Sequence, residues 1–214
     1  MPTRDSEAWE KATAALNVGR TDEAIPWLKQ LADGGDWRAA SALGAVLESK
    51  GTQDPKCYIE AAHWYTNALA KEDRPEPNLG LARYYYHGLG GYRDFNLAYG
   101  HSRKAQSAGN QEAALMMAEM LLHGIGHARD LDASEKLFRG AAGAGYPFGL
   151  VGLARIQKAR RQWLSSILYA VKAIALAARL TIRHRRSARL IGLGKKHGRL
   201  ALDAVVADTA AKRN

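Results

Sequence analysis

The chain has 214 residues, 47% of them hydrophobic, and a formal net charge of +10. Its single cysteine, Cys57, excludes an intrachain disulfide framework and a metal site built from several thiolates. Alanine is abundant, proline is scarce and strand-like runs of Val, Ile and Thr are nearly missing, which favours helices over sheets. The polar start, MPTRDSEAWEKA, has no apolar stretch or small-residue cleavage site, so the expected compartment is the cytoplasm.

Taken in order, the chain reads as successive helix pairs. Ser6–Asn17 and Asp22–Asp33 come first, joined at Val18-Gly19-Arg20, with Trp9, Leu16, Ile25, Leu28 and Leu31 at helical spacings. Pro26 lies inside the second helix, near enough to its start to be tolerated at some cost. Trp37–Ser49 and Lys56–Lys71 follow, linked by Thr52–Pro55. Next come Glu76–His87 with Asp94–Ser107, then Gln111–His123 with Asp130–Ala142. In the last two pairs the link contains Gly-x-Gly. Glycine suits the left-handed residue that closes a helix, and Asp94 and Asp130 stand where N-caps belong.

A 36-residue period organises these pairs. His87-Gly88-Leu89-Gly90 returns as His123-Gly124-Ile125-Gly126, and Arg93-Asp94 as Arg129-Asp130. Leu79, Leu115 and Val151 share one register, and Ala82, Ala118 and Ala154 another. So do Ala98, Ser134 and Ala170, and Ala105, Ala141 and Ala177, where small side chains let neighbouring helices approach closely. Residues 146–182 therefore read as one more unit, but Arg160 and Gln162 replace its loop glycines, which predicts a longer or more helical turn. A fixed period of this size means stacked supersecondary units.

The pattern resembles the Sel-one-like repeat, a longer relative of the tetratricopeptide repeat. Leu81-Ala82, Tyr85, Gly88, Gly90, Asp94, Ala98, Ala105 and Gly109 follow that family's motif. So do Met117-Ala118, Leu121, Gly124, Gly126, Asp130, Ala141 and Gly145. Leu43-Gly44, Leu47, Gly51, Ala61, Trp64 and Ala68 form an earlier unit, while the motif's tryptophan position holds His101 and Leu137 in the two best ones. The resemblance implies an all-α, right-handed α-solenoid of about five helix-turn-helix repeats that acts as an adaptor in protein assemblies. It brings no catalytic residues. The expected divisions are a tetratricopeptide-like pair at 1–35, the repeat solenoid at 36–182 and a basic C-terminal helical cap or tail at 183–214.

Charge is unevenly placed: residues 146–214 hold 15 Lys/Arg against 2 Asp/Glu, a net of +13, and the rest is slightly acidic. Within this third, Gln162–Ile182 is about 20 mostly apolar residues, a length that permits a membrane span. Lys172 and Arg179 oppose a span, since a charge at the bilayer centre costs roughly 2.5–3.5 kcal/mol. Ser165, Lys172, Arg179 and Arg186 recur every seven residues and form one narrow polar stripe. A packed repeat helix, an in-plane interfacial helix and a span all remain open here.

The densest positive charge is Arg183, Arg185, Arg186 and Arg189, followed by Lys195, Lys196 and Arg199. It suits an acidic protein or an anionic membrane surface. Nucleic acid is a weaker match, because residues 183–214 have no Phe, Tyr or Trp to stack on a base. After this run Leu202, Val205 and Val206 line one face of a helix over Arg199–Lys212, a pattern fit to cap an open stack.

Other motifs carry less. His87 and His123 belong to neighbouring units about 10 Å apart, too far to share a zinc ion. Gly88-Leu89-Gly90 and Gly192-Leu193-Gly194-Lys195 do not complete a phosphate loop. Tyr84-Tyr85-Tyr86 spread over about 200° of helix, so they cannot all be core. Tyr85 takes the packing place, and Tyr84 and Tyr86, with Arg83 and Glu119, are candidates for a partner-facing groove. The expected function is a non-catalytic scaffold that needs no cofactor, metal or small-molecule substrate and holds another protein in its groove. The alternatives are a membrane-associated protein anchored through 162–190 and a nucleic-acid binder using the basic C-terminus. An inner-membrane periphery fits the first.

Overall fold

The computed structural model describes the backbone of residues 4–190 and the side chains of residues 5–182. The described residues form ten helices and no strand. They are α1 (Arg4–Asn17), α2 (Thr21–Asp33), α3 (Trp37–Lys50), α4 (Lys56–Lys71), α5 (Pro75–His87), α6 (Phe95–Ser107), α7 (Gln111–His123), α8 (Leu131–Gly143), α9 (Pro147–Ala159) and α10 (Trp163–Leu190). The chain divides into two compact units, Met1–Ala173 and Ile174–Asn214. In the second unit the described residues are the continuation of α10. Lys195, Lys196, Arg199 and the expected capping helix over Arg199–Lys212 lie outside the described residues. Arg183, Arg185, Arg186 and Arg189 fall on the last turns of α10, where only the backbone is described.

Helix boundaries follow local chemistry. Asp94 caps α6 by accepting from the Asn96 and Leu97 amides, and Asp130 caps α8 by accepting from Asp132 and Ala133. Asp36 caps α3 and also accepts from the Trp9 indole at 3.0 Å, which ties α1 to the start of α3. Gly88 and Gly124 end α5 and α7 in the left-handed conformation, with φ of 66° and 70°.

From α1 to α9 each helix packs against the next. Among α1–α9 successive odd helices also touch, α3 with α5, α5 with α7 and α7 with α9, whereas successive even helices do not. The odd helices therefore form the inner row of the stack and the even helices the outer row. The register positions legible in the sequence sit where the rows meet. Ala82, Ala98, Ala105, Ala118 and Ala141 are fully buried, and Ala154 nearly so. Ser134 takes the small-residue place in α8 and donates its hydroxyl to the Ala118 carbonyl at 2.7 Å. Leu79 is buried with Ala105 and Ala113, while Leu115 and Val151 are half-buried. Tyr65 from α4 fills the slot between Gly44 of α3 and Gly80 of α5, where a Cβ would lie 2.7 and 2.3 Å from its ring. Phe138 meets Gly152 in the same way between α8 and α9.

The tryptophan position of the family motif shows how the departure at His101 is accommodated. Asn78 of α5 is 1% exposed, and its amide nitrogen donates to Asp73 and to the Arg74 carbonyl. Its amide oxygen lies 2.9 Å from His101 Nδ1, so a neutral His101 carries its proton there and donates it. Tyr85 stacks on the imidazole at 5.9 Å. The histidine thus satisfies a buried amide that an indole in its place could meet only by another geometry.

The last link departs from the expected pattern. The α5–α6 and α7–α8 connections run seven residues, but α9 and α10 are joined by three, Arg160–Arg161–Gln162. The turn takes neither of the forms expected, longer or more helical, but is shorter, and it closes through a left-handed residue. Gln162 donates to the Gln157 carbonyl at 2.8 Å, the closure also made by Arg20 to Ala15, Asp36 to Leu31, Asn110 to Ala105 and Tyr146 to Ala141. Gly19, Gly35, Gly109 and Gly145 supply the positive-φ residue in those four turns, and Arg161 supplies it here with φ of 61°. A non-glycine residue in that region costs about 1 kcal/mol. The shorter link also changes which residues of α10 turn inward. Ala173 is buried and Tyr169 packs against the core cluster of α7, α8 and α9, whereas Ala170 and Ala177 are exposed. Within the first unit Ala170 does not serve the close contact that the 36-residue register assigns to it.

Two measurements test this packing. A Cβ on Gly149 would lie 2.4 Å from the Ala142 amide nitrogen and 2.6 Å from the Phe138 carbonyl, both backbone atoms, whereas one on Gly140 meets nothing within 4 Å. Gly140→Ala is expected to stabilise by up to about 1 kcal/mol through helix propensity. Gly149→Ala gains the same term but overpacks by about 3 kcal/mol, so denaturant titration should show a net loss near 2 kcal/mol. The second concerns pH. Burial, reinforced by the Lys104 ammonium and opposed by Asp73, holds the His101 pKa below the ordinary histidine value. The unfolded chain then binds this proton more readily. Its contribution is complete above the unfolded pKa near 6.5 and is lost as pH falls through the lower folded value. Thermal melts from pH 7 downward should show His101→Gln losing less stability on acidification than the wild type.

Candidate functional site

The inner row carries a ladder of charges that crosses from one repeat to the next. Arg83 of α5 grips Glu48 of α3 with two parallel bonds, Nε to Oε1 at 2.7 Å and Nη2 to Oε2 at 2.8 Å. Its Nη1 reaches Glu112 of α7 at 3.1 Å. Tyr65 donates its hydroxyl to the same Glu48 carboxylate at 2.7 Å. Further along, Arg155 of α9 donates to Glu119 of α7 at 2.6 Å across 36 residues, and His123 lies 3.4 Å from that carboxylate. Burial alone depresses the Arg83 pKa, but Glu48 and Glu112 more than reverse it, so the guanidinium stays charged. Burial, then the Glu48 charge, raises the Tyr65 pKa and keeps its hydroxyl a donor.

These contacts place the four candidate groove residues. Arg83 and Glu119 are on the inner row, one repeat apart, each partly exposed and each already bonded to a neighbouring repeat. Tyr84 turns toward α4 and the loop after α5. Its hydroxyl occupies the space that a Cβ on Gly90 would take, and its ring packs edge-on against Tyr85. Tyr86 packs edge-on against His87 and against Phe95 of α6. The two tyrosines are half-buried and lie on different sides of α5, so the four residues do not form one patch. The structure brings Arg83 and Glu119 into one row and separates Tyr84 and Tyr86 from it.

Beyond Glu119 the row opens into a cleft of about 690 Å³ at the C-terminal ends of α7 and α9. Arg129, Arg155, Lys158 and Arg161 line it with positive charge, and Leu122 and Trp163 supply apolar walls. Arg129 spends its Nε on the Leu122 carbonyl at 3.0 Å, and Arg155 is paired with Glu119. Arg160, next in the turn, points away to Asp132 and Glu135 of α8. Among the described residues no carboxylate pairs with Lys158 or Arg161. Neither residue, nor Trp163, stands out in the sequence, because the repeat frame assigns 160–162 to a loop. The legible signal is the run of Arg155, Lys158, Arg160 and Arg161 without an acidic residue between them.

Among the described residues no group of His, Cys, Asp and Glu has the arrangement of a metal site. From α10 a further surface emerges. Trp163, Leu164, Ile167, Leu168 and Val171 in the first unit are each more than half exposed, and Ile174 and Ile182 in the second are exposed as well. The stretch Trp163–Ile182 is long and apolar enough to cross a membrane, with 6% of its most apolar window buried.

No family model matches the sequence. An uncharacterized protein of Neisseria meningitidis serogroup B is 31% identical over 91 residues, which are 42% of this chain and 19% of that protein, so the chain spans about a fifth of its relative's length. Among solved structures, a Sel1 repeat protein from Oxalobacter formigenes superposes with a TM-score of 0.65 at 21% identity, over 78% of this chain and 69% of that one. A protective antigen of uropathogenic Escherichia coli strains displaying an SLR fold gives 0.60 at 23% identity, over 84% and 38%. MamA gives 0.61 at 12% identity, over 82% and 92%. At these identities the likeness is one of backbone architecture. Helix pairs, stacked rows and matching solved structures together make this chain a helical-repeat protein with the Sel-one-like repeat fold.

Proposed function

We propose that the chain is a non-catalytic scaffold that holds another protein against its inner row. The observation that carries this reading is the charge ladder of Glu48, Arg83 and Glu112, continued by Glu119 and Arg155. Each pair spans two repeats, so the charges are fixed in place before a partner arrives and lose little side-chain freedom on binding. Stacked helical repeats offer extended concave surfaces suited to this use. A cytoplasmic location belongs to the same proposal.

The ladder itself provides the test. Exchanging its last rung, Glu119→Arg with Arg155→Glu, keeps an internal ion pair while reversing the charges shown to a partner. Affinity capture from the native cell should recover a saturable set of chains with the wild type and lose it with the exchanged variant at unchanged thermal midpoint. Equal recovery by both proteins, or none by either, defeats the proposal.

One observation favours a second reading, contact with an anionic membrane surface. In the first unit the exposed apolar side of α10 is bordered by Lys172, and in the second unit Arg179 is exposed and the chain runs on into Arg183, Arg185, Arg186 and Arg189 in sequence. On this reading the helix lies in the plane of the bilayer and the chain sits at the periphery of the inner membrane. Basic residues near an anionic surface contribute about 1 kcal/mol each, or roughly fivefold in affinity. Vesicles rich in phosphatidylglycerol should therefore co-sediment the wild type and retain Lys172→Glu/Arg179→Glu at least about tenfold less well. Vesicles of neutral phosphatidylcholine should retain neither, and equal retention of both proteins would discard this reading.

A further inference from the structure

We propose that the basic cleft at the ends of α7 and α9 binds an acidic peptide segment that also carries an apolar side chain. The inference rests on the scaffold reading and names the chemistry of the partner at one place on the row. Two of the four cations lining the cleft are already engaged, Arg129 with a backbone carbonyl and Arg155 with Glu119. Lys158 and Arg161 are exposed and, among the described residues, have no carboxylate partner. The Glu119–Arg155 contact at 2.6 Å shows how a carboxylate seats on this wall, and the unengaged cations offer the same chemistry to carboxylates from outside. Trp163 is 59% exposed beside Leu122 and gives an apolar side chain a surface to cover.

The backbone supplies an independent observation. Among the described residues six other helix ends closed by the same bond, those at Gly88 and Gly124 included, place glycine at the left-handed position, and this one uses arginine. The side chain carried by this left-handed residue lines the cleft. Residues held in sparsely populated conformations gather at binding sites. The volume of about 690 Å³ falls in the range of ligand clefts and accommodates a few peptide residues. Single-stranded nucleic acid matches the cleft less well, since one indole cannot stack successive bases. A flat bilayer cannot enter a recess between helix ends.

Fluorescence anisotropy with the full chain tests the assignment. The probe is a fluorescein-labelled peptide of about ten alternating Glu and Leu residues. Its Gln-for-Glu counterpart and a labelled oligothymidylate of similar charge are the comparisons. The acidic peptide should bind saturably, the Gln peptide at least about tenfold more weakly, and Lys158→Glu/Arg161→Glu should lose at least about tenfold. Arg103→Glu/Lys136→Glu, with the same change of net charge at exposed positions on α6 and α8, should stay within about twofold. Arg161→Gly separates fold from function: it should raise the thermal midpoint by relieving the turn while weakening the peptide severalfold. The proposal is overturned if the acidic peptide does not bind, if both charge-reversed variants lose equally, or if Arg161→Gly binds as the wild type does. It is overturned as well if the oligothymidylate binds more tightly with the same dependence on Lys158 and Arg161. Failure of the peptide alongside intact partner capture removes the cleft assignment and leaves the scaffold reading standing.

Discussion

Backbone meets backbone in this chain with almost nothing between. At Gly149 the space for a single Cβ is already taken by the α8 backbone, and at Gly44, Gly80 and Gly152 it is taken by an aromatic ring. Buried alanines and Ser134 hold other contact positions in the rows. Dispersion contacts are individually small and fall away within an ångström, so helices brought this close gain many at once and tolerate few changes of side-chain size. The spacing between repeats is consequently set by small residues, and every feature on the inner row inherits its position from that spacing.

Fixed spacing makes the charge ladder possible. An exposed ion pair contributes little when both side chains must be ordered for it. Arg83 and Glu48 are both largely buried against neighbouring repeats, the guanidinium binds in a forked geometry, and Tyr65 orients the carboxylate from the other side. Much of the ordering cost is met by packing that exists anyway. The same reasoning explains why His101 replaces an apolar residue without penalty. Asn78 in α5 needs an acceptor's partner, and the register of α6 delivers one from the position where the motif places an indole.

Most of the fold was legible in the sequence because it is written in local chemistry and repeated. Gly88 and Gly124, Asp94 and Asp130, and the alanines of both rows occur where the 36-residue period requires, and the helix ends observed lie within about two residues of those expected. The site was less legible. Arg83 and Glu119 were recognisable as a matched pair of positions, but Arg83's partner Glu48 is 35 residues away and so stands one place outside the period. The tyrosine run gave no sign of which ring the loop after α5 would cover. Hardest to read was the α9–α10 turn, since a left-handed arginine leaves no mark in sequence. The loss of loop glycines showed that the turn changes and not which way.

That turn is also where the logic of stacking runs out. In each of the middle repeats the outer helix is covered on one flank by its own partner and on the other by the next pair, and this is why Ala98 and Ala105, or Ser134 and Ala141, are buried. Helix α10 follows a three-residue link instead of seven, turns Tyr169 and Ala173 inward, and leaves Trp163, Leu164, Ile167, Leu168 and Val171 facing outward. An apolar arc of that breadth is costly to keep in water at about 25 cal/mol per Å² and is the mark of a surface that meets something. The inner row near Arg161 and Trp163 departs from the repeat in the same few residues, by a strained turn and a cleft with unpaired cations. Both departures arise from one change, the replacement of the glycine loop by a tight turn. The middle repeats therefore act as the ruler, and the end of the first unit is where regular stacking stops.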